Sequence, residues 1–96
     1  MPLWTPTYPV GMRDPAVAFA WTLSMPDVEL HVERTETGGL SLTCVAASFR
    51  DHYLGTADVA VGLQMALELV RNRLQKITAY VDMAYREERW KVREVG

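Results

Sequence analysis

The longest stretch of this chain free of glycine and proline runs from Leu63 to Val95, about a third of the sequence. These two residues are the strongest breakers of helices, so their absence over such a length leaves few alternatives to one long helix. On a wheel at about 100° per residue, Val59, Leu63, Ala66, Leu67, Val70, Leu74, Ile77, Val81 and Ala84 share one face. Gln64, Glu68, Arg71, Gln75, Asp82, Arg86 and Arg89 line the other. The pattern predicts a helix over about 57–88, with Thr56 as its N-cap and Asp58 in its first turn.

Length limits what can lie beneath such a helix. Thirty-two residues span about 48 Å at 1.5 Å each, whereas a globule of 96 residues has a diameter of roughly 32 Å. The helix must therefore break near Lys76 or overhang its own domain. The alternation in ITAYVDMAY (77–85) offers a competing strand reading. Against it, the polar stripe runs on through Asp82, Arg86 and Arg89, and no turn residue separates Leu74 from Ile77. Residues 90–95 are expected to be a short strand or a tail. A second apolar ridge, Val61, Met65, Leu69, Tyr80 and Met83, widens the apolar surface past what one sheet covers. Those five residues are the expected interface. A second copy of the chain is the expected partner, with another small protein as the alternative.

The residues before the helix read as strands. Residues 1–15 hold four of the five prolines around Trp4 and Tyr8, and form an extended arm that cannot sit mid-sheet. Within the domain formed by residues 16–96, AVAFAWTLS (16–24) alternates, placing Val17, Phe19, Trp21 and Leu23 on one side. VELHVERT (28–35) alternates too, with Val28, Leu30 and Val32 inward, and Thr37-Gly38-Gly39 turns the chain into LSLTCVAASF (40–49). The fold class expected is α+β: a three-stranded antiparallel meander packed on one long C-terminal helix.

The polar residues bound the chemistry. Arg50-Asp51-His52-Tyr53 is a polar cluster expected on a loop, where it could contact a ligand or a partner. Asp–His adjacency suits a general base, but no nucleophile elbow, P-loop, H-E-x-x-H or dinucleotide fingerprint accompanies it, so no catalytic residue and no cofactor are expected. Glu29, His31 and Glu33 lie on one side of a strand without a second histidine nearby, which favours a solvated histidine over a metal ligand. Cys44 is the only cysteine, so no intrachain disulfide forms, and it reads as a core residue.

Charge is unevenly spread. Residues 1–70 carry three basic and eight acidic side chains, a net of −5; residues 71–96 carry seven and four, a net of +3. The basic residues Arg71, Arg73, Lys76, Arg86, Arg89, Lys91 and Arg93 could touch phosphates, but acidic residues interrupt every cluster, and nucleic acid is an unlikely partner. The start, MPLWTPTYPV, lacks a basic segment followed by an apolar one, and the run Pro15–Leu23 is far short of a membrane span, so a cytoplasmic protein is expected. Eight arginines to two lysines, and eleven valines to one isoleucine, suggest a GC-rich bacterial genome, and the scarcity of Asn, Gln and Cys would suit a thermophile.

One resemblance follows from the order of elements. VELHVERTETGGLSLTCV, then GTADVAVGLQMALELV, is similar to HicB-like antitoxin domains, in which a hairpin leads to a helix opening with T-x-E-x-A. Thr56-Ala57-Asp58-Val59-Ala60 fits that motif with Asp for Glu, over residues 28–75. The family's proline-flanked segment between strand and helix is replaced by Ala46-Ala47-Ser48-Phe49-Arg50-Asp51-His52, and no DNA-binding segment is appended. The resemblance implies binding of a small RNase toxin.

Overall fold

Apolar side chains at every second position commit a strand to one buried face, and three segments here, 20–25, 28–34 and 40–44, meet that condition. The computed structural model describes the backbone of residues 3–95 and the side chains of residues 3–88. The strands are β1 (Thr5–Thr7), β2 (Ala20–Met25), β3 (Val28–Arg34), β4 (Leu40–Cys44) and β5 (Phe49–Tyr53), followed by one helix, α1 (Val59–Val95). They form a single antiparallel sheet in chain order, β1-β2-β3-β4-β5. The α+β class holds, but the sheet has five strands where three were expected.

Both added strands lie at the edges. β1 comes from the proline-rich arm, pairing Thr5 with Thr22 and Thr7 with Ala20. An edge strand needs only half of its backbone donors, so Pro6 between them is tolerated. At the other edge, the expected strand 40–49 stops at Cys44. Val45–Ala47 makes a 3₁₀ turn, and Ser48 takes a left-handed conformation (φ 61°). The chain thereby folds back, Phe49 pairs with Cys44, and β5 forms beside β4. The expected strand 16–24 also shifts. Pro15–Val17 forms a 3₁₀ turn capped by the Asp14 carboxylate, pairing with β3 begins at Ala20, and Phe19 stays 44% exposed instead of facing the core.

Register builds the core. Trp21, Val32 and Leu42 stand side by side across three strands, with Leu23 beside Leu30. Together with Leu40, Cys44, Ala47 and Phe49 they form the buried layer under α1, to which the helix contributes Ala66 and Val70. Trp4 and Tyr8 from the arm pack against the same core. The opposite face carries Thr5, Thr7, Thr22, Ser24, Glu29, His31, Glu33 and Thr43, all exposed or half-buried, as suits an antiparallel sheet wet on one side. Gly62 lies at the closest approach of helix and sheet: a Cβ there would run into the Leu40 side chain.

The helix starts two residues later than the sequence pattern suggests. Asp58, not Thr56, is its cap: the Asp58 carboxylate accepts the Val61 N–H at 3.1 Å, and the Thr56 hydroxyl accepts the Asp58 N–H at 3.1 Å. From there α1 continues without a break at Lys76 and takes in 90–95, so no last strand or tail forms. Thirty-seven residues make a rod of about 55 Å. Strands of five to seven residues extend only about 16–23 Å. The molecule measures 65 × 24 × 20 Å, and its radius of gyration, 18.2 Å, far exceeds the roughly 12.5 Å of a globule this size.

Candidate interaction surface

A helix longer than the sheet beneath it divides into a supported part and a free part, and here the division falls at Leu74. Up to that point Val59, Leu63, Met65, Leu67, Leu69 and Leu74 are half-buried against the core, and Ala66 and Val70 are fully buried. Beyond it, every described side chain through Glu88 is exposed. The last 21 residues of the helix, 75–95, extend about 31 Å past the sheet.

That free segment does not become polar. Tyr80, Val81, Met83 and Tyr85 are between 59% and 68% exposed, and Ile77 is 37% exposed. At about 100° per residue they and Ala84 occupy more than half the circumference, from Met83 through Tyr80, Ala84, Ile77 and Val81 to Tyr85. The two tyrosines alone leave on the order of 250 Å² in water. Polar residues (Gln75, Asp82 and Arg86) hold the remaining arc, and Lys76, Glu87 and Glu88 fall by phase within the apolar one.

The five residues of the second ridge divide between the two parts. Met65 and Leu69 are half-buried against the chain's own core, while Val61, Tyr80 and Met83 are exposed. Ile77, Val81 and Ala84 belong by phase to the sheet-facing stripe, yet no sheet lies under them. They are the surface residues that wheel geometry alone misassigns. The signal that finds them is the length of the helix measured against the length of the strands.

The Arg50–Tyr53 cluster lies on β5, not on a loop. Asp51 adopts φ 47°, and its N–H donates to the Thr43 hydroxyl at 3.2 Å. The His52 ring meets Phe49 edge-on at 5.2 Å between centroids, and the Tyr53 ring lies where a side chain on Gly39 would stand. Asp51 and His52 share no hydrogen bond, and the exposed cluster forms an edge strand rather than an enclosed pocket.

His31 has neighbours at both ring nitrogens: the Thr22 hydroxyl is 3.1 Å from Nδ1, and a Glu33 oxygen is 3.7 Å from Nε2. Among the described residues no three His, Cys, Asp or Glu side chains converge as a ligand set. An open groove of about 570 Å³ lies beside His31, between Met25, Asp27, Glu29, Thr43 and Val45. Cys44 is buried and free.

The basic residues are dispersed. Arg73 is drawn to the head: its guanidinium lies 4.5 Å from the Phe49 ring centroid and donates to the Ala47 carbonyl at 3.3 Å. Arg71, Lys76 and Arg86 are exposed, and the side chains of Arg89, Lys91 and Arg93 lie outside the described residues. No helix among the described residues is long and apolar enough to cross a membrane. Comparison with protein-family models, with curated protein sequences and with solved structures finds no significant match to this chain.

Proposed function

We propose that this chain is a non-catalytic interaction module that works as a homodimer, with the overhanging part of α1 as its contact surface. One observation carries the reading: the helix leaves its sheet at Leu74 and keeps an apolar arc through Tyr85. A patch of that size and composition on a soluble protein marks a surface that another surface covers. Helical stability in proteins comes mostly from packing of an apolar face, so a partner that covers this arc would also stabilise the free segment. A cytoplasmic setting fits the single buried thiol of Cys44.

Sedimentation velocity on the full chain at micromolar concentration tests this. A mass of two chains is expected, and Val81→Asp, which places a charge in the middle of the arc, is expected to give one chain with the sheet intact. A wild-type mass of one chain overturns the dimer.

An antitoxin-like use of the same surface, with a small RNase in place of the second copy, draws on the β3–β4 hairpin, although the Val45–Ala47 turn and β5 stand between that hairpin and α1. It makes the opposite forecast: one chain alone, and a complex only when the RNase is added.

A further inference from the structure

Resting on that dimer, we infer that the two chains pair tail to tail and antiparallel, so that each free helix segment covers the other and the heads lie at opposite ends. Two observations argue against the parallel alternative.

The first is steric. The stripe that carries Ile77, Val81 and Ala84 in the tail is the stripe that carries Leu63, Ala66 and Val70 in the head, where the chain's own sheet already occupies it. Helices packed through this stripe lie 8–10 Å apart. In a parallel pair, a few turns back along the axis, two sheets would have to fit between them, each about 10 Å from its own helix. Run antiparallel, the stripe of each helix meets its own sheet over the first half and the partner's tail over the second. Nothing then competes for the same space.

The second is electrostatic. Divided at Leu74, the chain is a weak charge dipole: residues 1–74 carry five basic and eight acidic side chains, a net of −3, and residues 75–96 carry five and four, a net of +1. Parallel pairing sets acidic head against acidic head and the run Arg89, Lys91, Arg93 against its own copy. Antiparallel pairing brings that basic run toward the partner's acidic head, which both favours association and selects the orientation. Because the head blocks the stripe up to Leu74, the two-fold axis falls near the middle of residues 75–95, close to Tyr85.

Nitroxide labels on cysteines introduced singly at Gln75 and Arg86 in the Cys44→Ala chain, measured by double electron–electron resonance, test the orientation. Both positions are exposed, stand on the polar side of the helix, and leave the apolar arc untouched. About two-fold from Tyr85, the Arg86→Cys pair is separated by only a few ångströms along the axis, and the Gln75→Cys pair by about 30 Å. The Gln75 distance is therefore expected to exceed the Arg86 distance by 10 Å or more. A sedimentation mass of two chains with equal distances at both positions overturns the antiparallel pairing and leaves the dimer standing. A mass of one chain, with no dipolar signal from either label, overturns both.

Discussion

Gly62 stands where α1 and the sheet come closest, and two opposed effects meet there. Alanine in a helix interior is worth about 1 kcal/mol over glycine. The added methyl, however, runs into the Cδ1 end of Leu40, a fully buried side chain that must shift to admit it. Overpacking of that kind costs about 1–3 kcal/mol. Gly62→Ala is thus expected to destabilise the protein by roughly 1 kcal/mol net, read as a lower urea midpoint with an unchanged slope. An increased midpoint would mean that the helix can lift off Leu40 without penalty.

The cap makes a second residue-scale case. Both Thr56 and Asp58 have the right chemistry for an N-cap, and sequence spacing favours the first because it precedes the apolar run. The structure assigns the role to Asp58, whose carboxylate reaches the Val61 N–H, and leaves Thr56 holding the Asp58 N–H. Asp58→Ala should cost about 1 kcal/mol. Thr56→Ala removes one exposed hydrogen bond and should cost about half of that or less. Equal losses in thermal or urea unfolding would contradict the assignment.

Among the elements, what could be read in advance follows from how much of each strand is buried. β2 and β3 alternate because one face is core and the other water, so Trp21, Leu23, Leu30 and Val32 were legible as inward residues. β4 was legible up to Cys44. Beyond it, Val45-Ala46-Ala47 is as apolar as a buried strand, and only the left-handed Ser48 reveals the turn, a conformation that no side-chain pattern announces. β5 is hidden for the opposite reason: Arg50, Asp51, His52 and Tyr53 are all exposed on an edge, so they carry a loop's composition. β1 is three residues around a proline, held by its pairing with β2 and by Trp4 and Tyr8 on the core. Of the candidate surface, Tyr80 and Met83 were legible as surplus apolar residues. Ile77 and Val81 were not, because a wheel records direction and not where the sheet ends.

The same boundary gives the helix two stabilities. Residues 59–74 pack on the core, whereas the side chains of residues 75–88 have no core beneath them. Most helical stability in proteins comes from packing of an amphipathic face. Ellipticity at 222 nm is therefore expected to fall on dilution through the dimer's dissociation range, while the backbone amides of β3 and β4 stay protected from hydrogen exchange. A helical signal that does not change with concentration in a dissociating protein would show that the tail supports itself.

For the molecule as a whole, the overhang sets a length that scattering can measure. One chain is 65 Å long, of which α1 supplies about 55 Å and the head projects about 10 Å beyond it. Two helices overlapping only through their free 31 Å make a rod of about 80 Å, and the projecting heads at both ends bring the maximum dimension to about 100 Å. A side-by-side parallel pair would stay near the length of one chain, since its ends coincide. Small-angle X-ray scattering at a concentration where sedimentation reports two chains is thus expected to give a maximum dimension near 100 Å. It should contract toward the single-chain value in Val81→Asp. A dimer no longer than about 70 Å would mean that the heads lie together, and that the acidic halves repel less than the apolar tails attract.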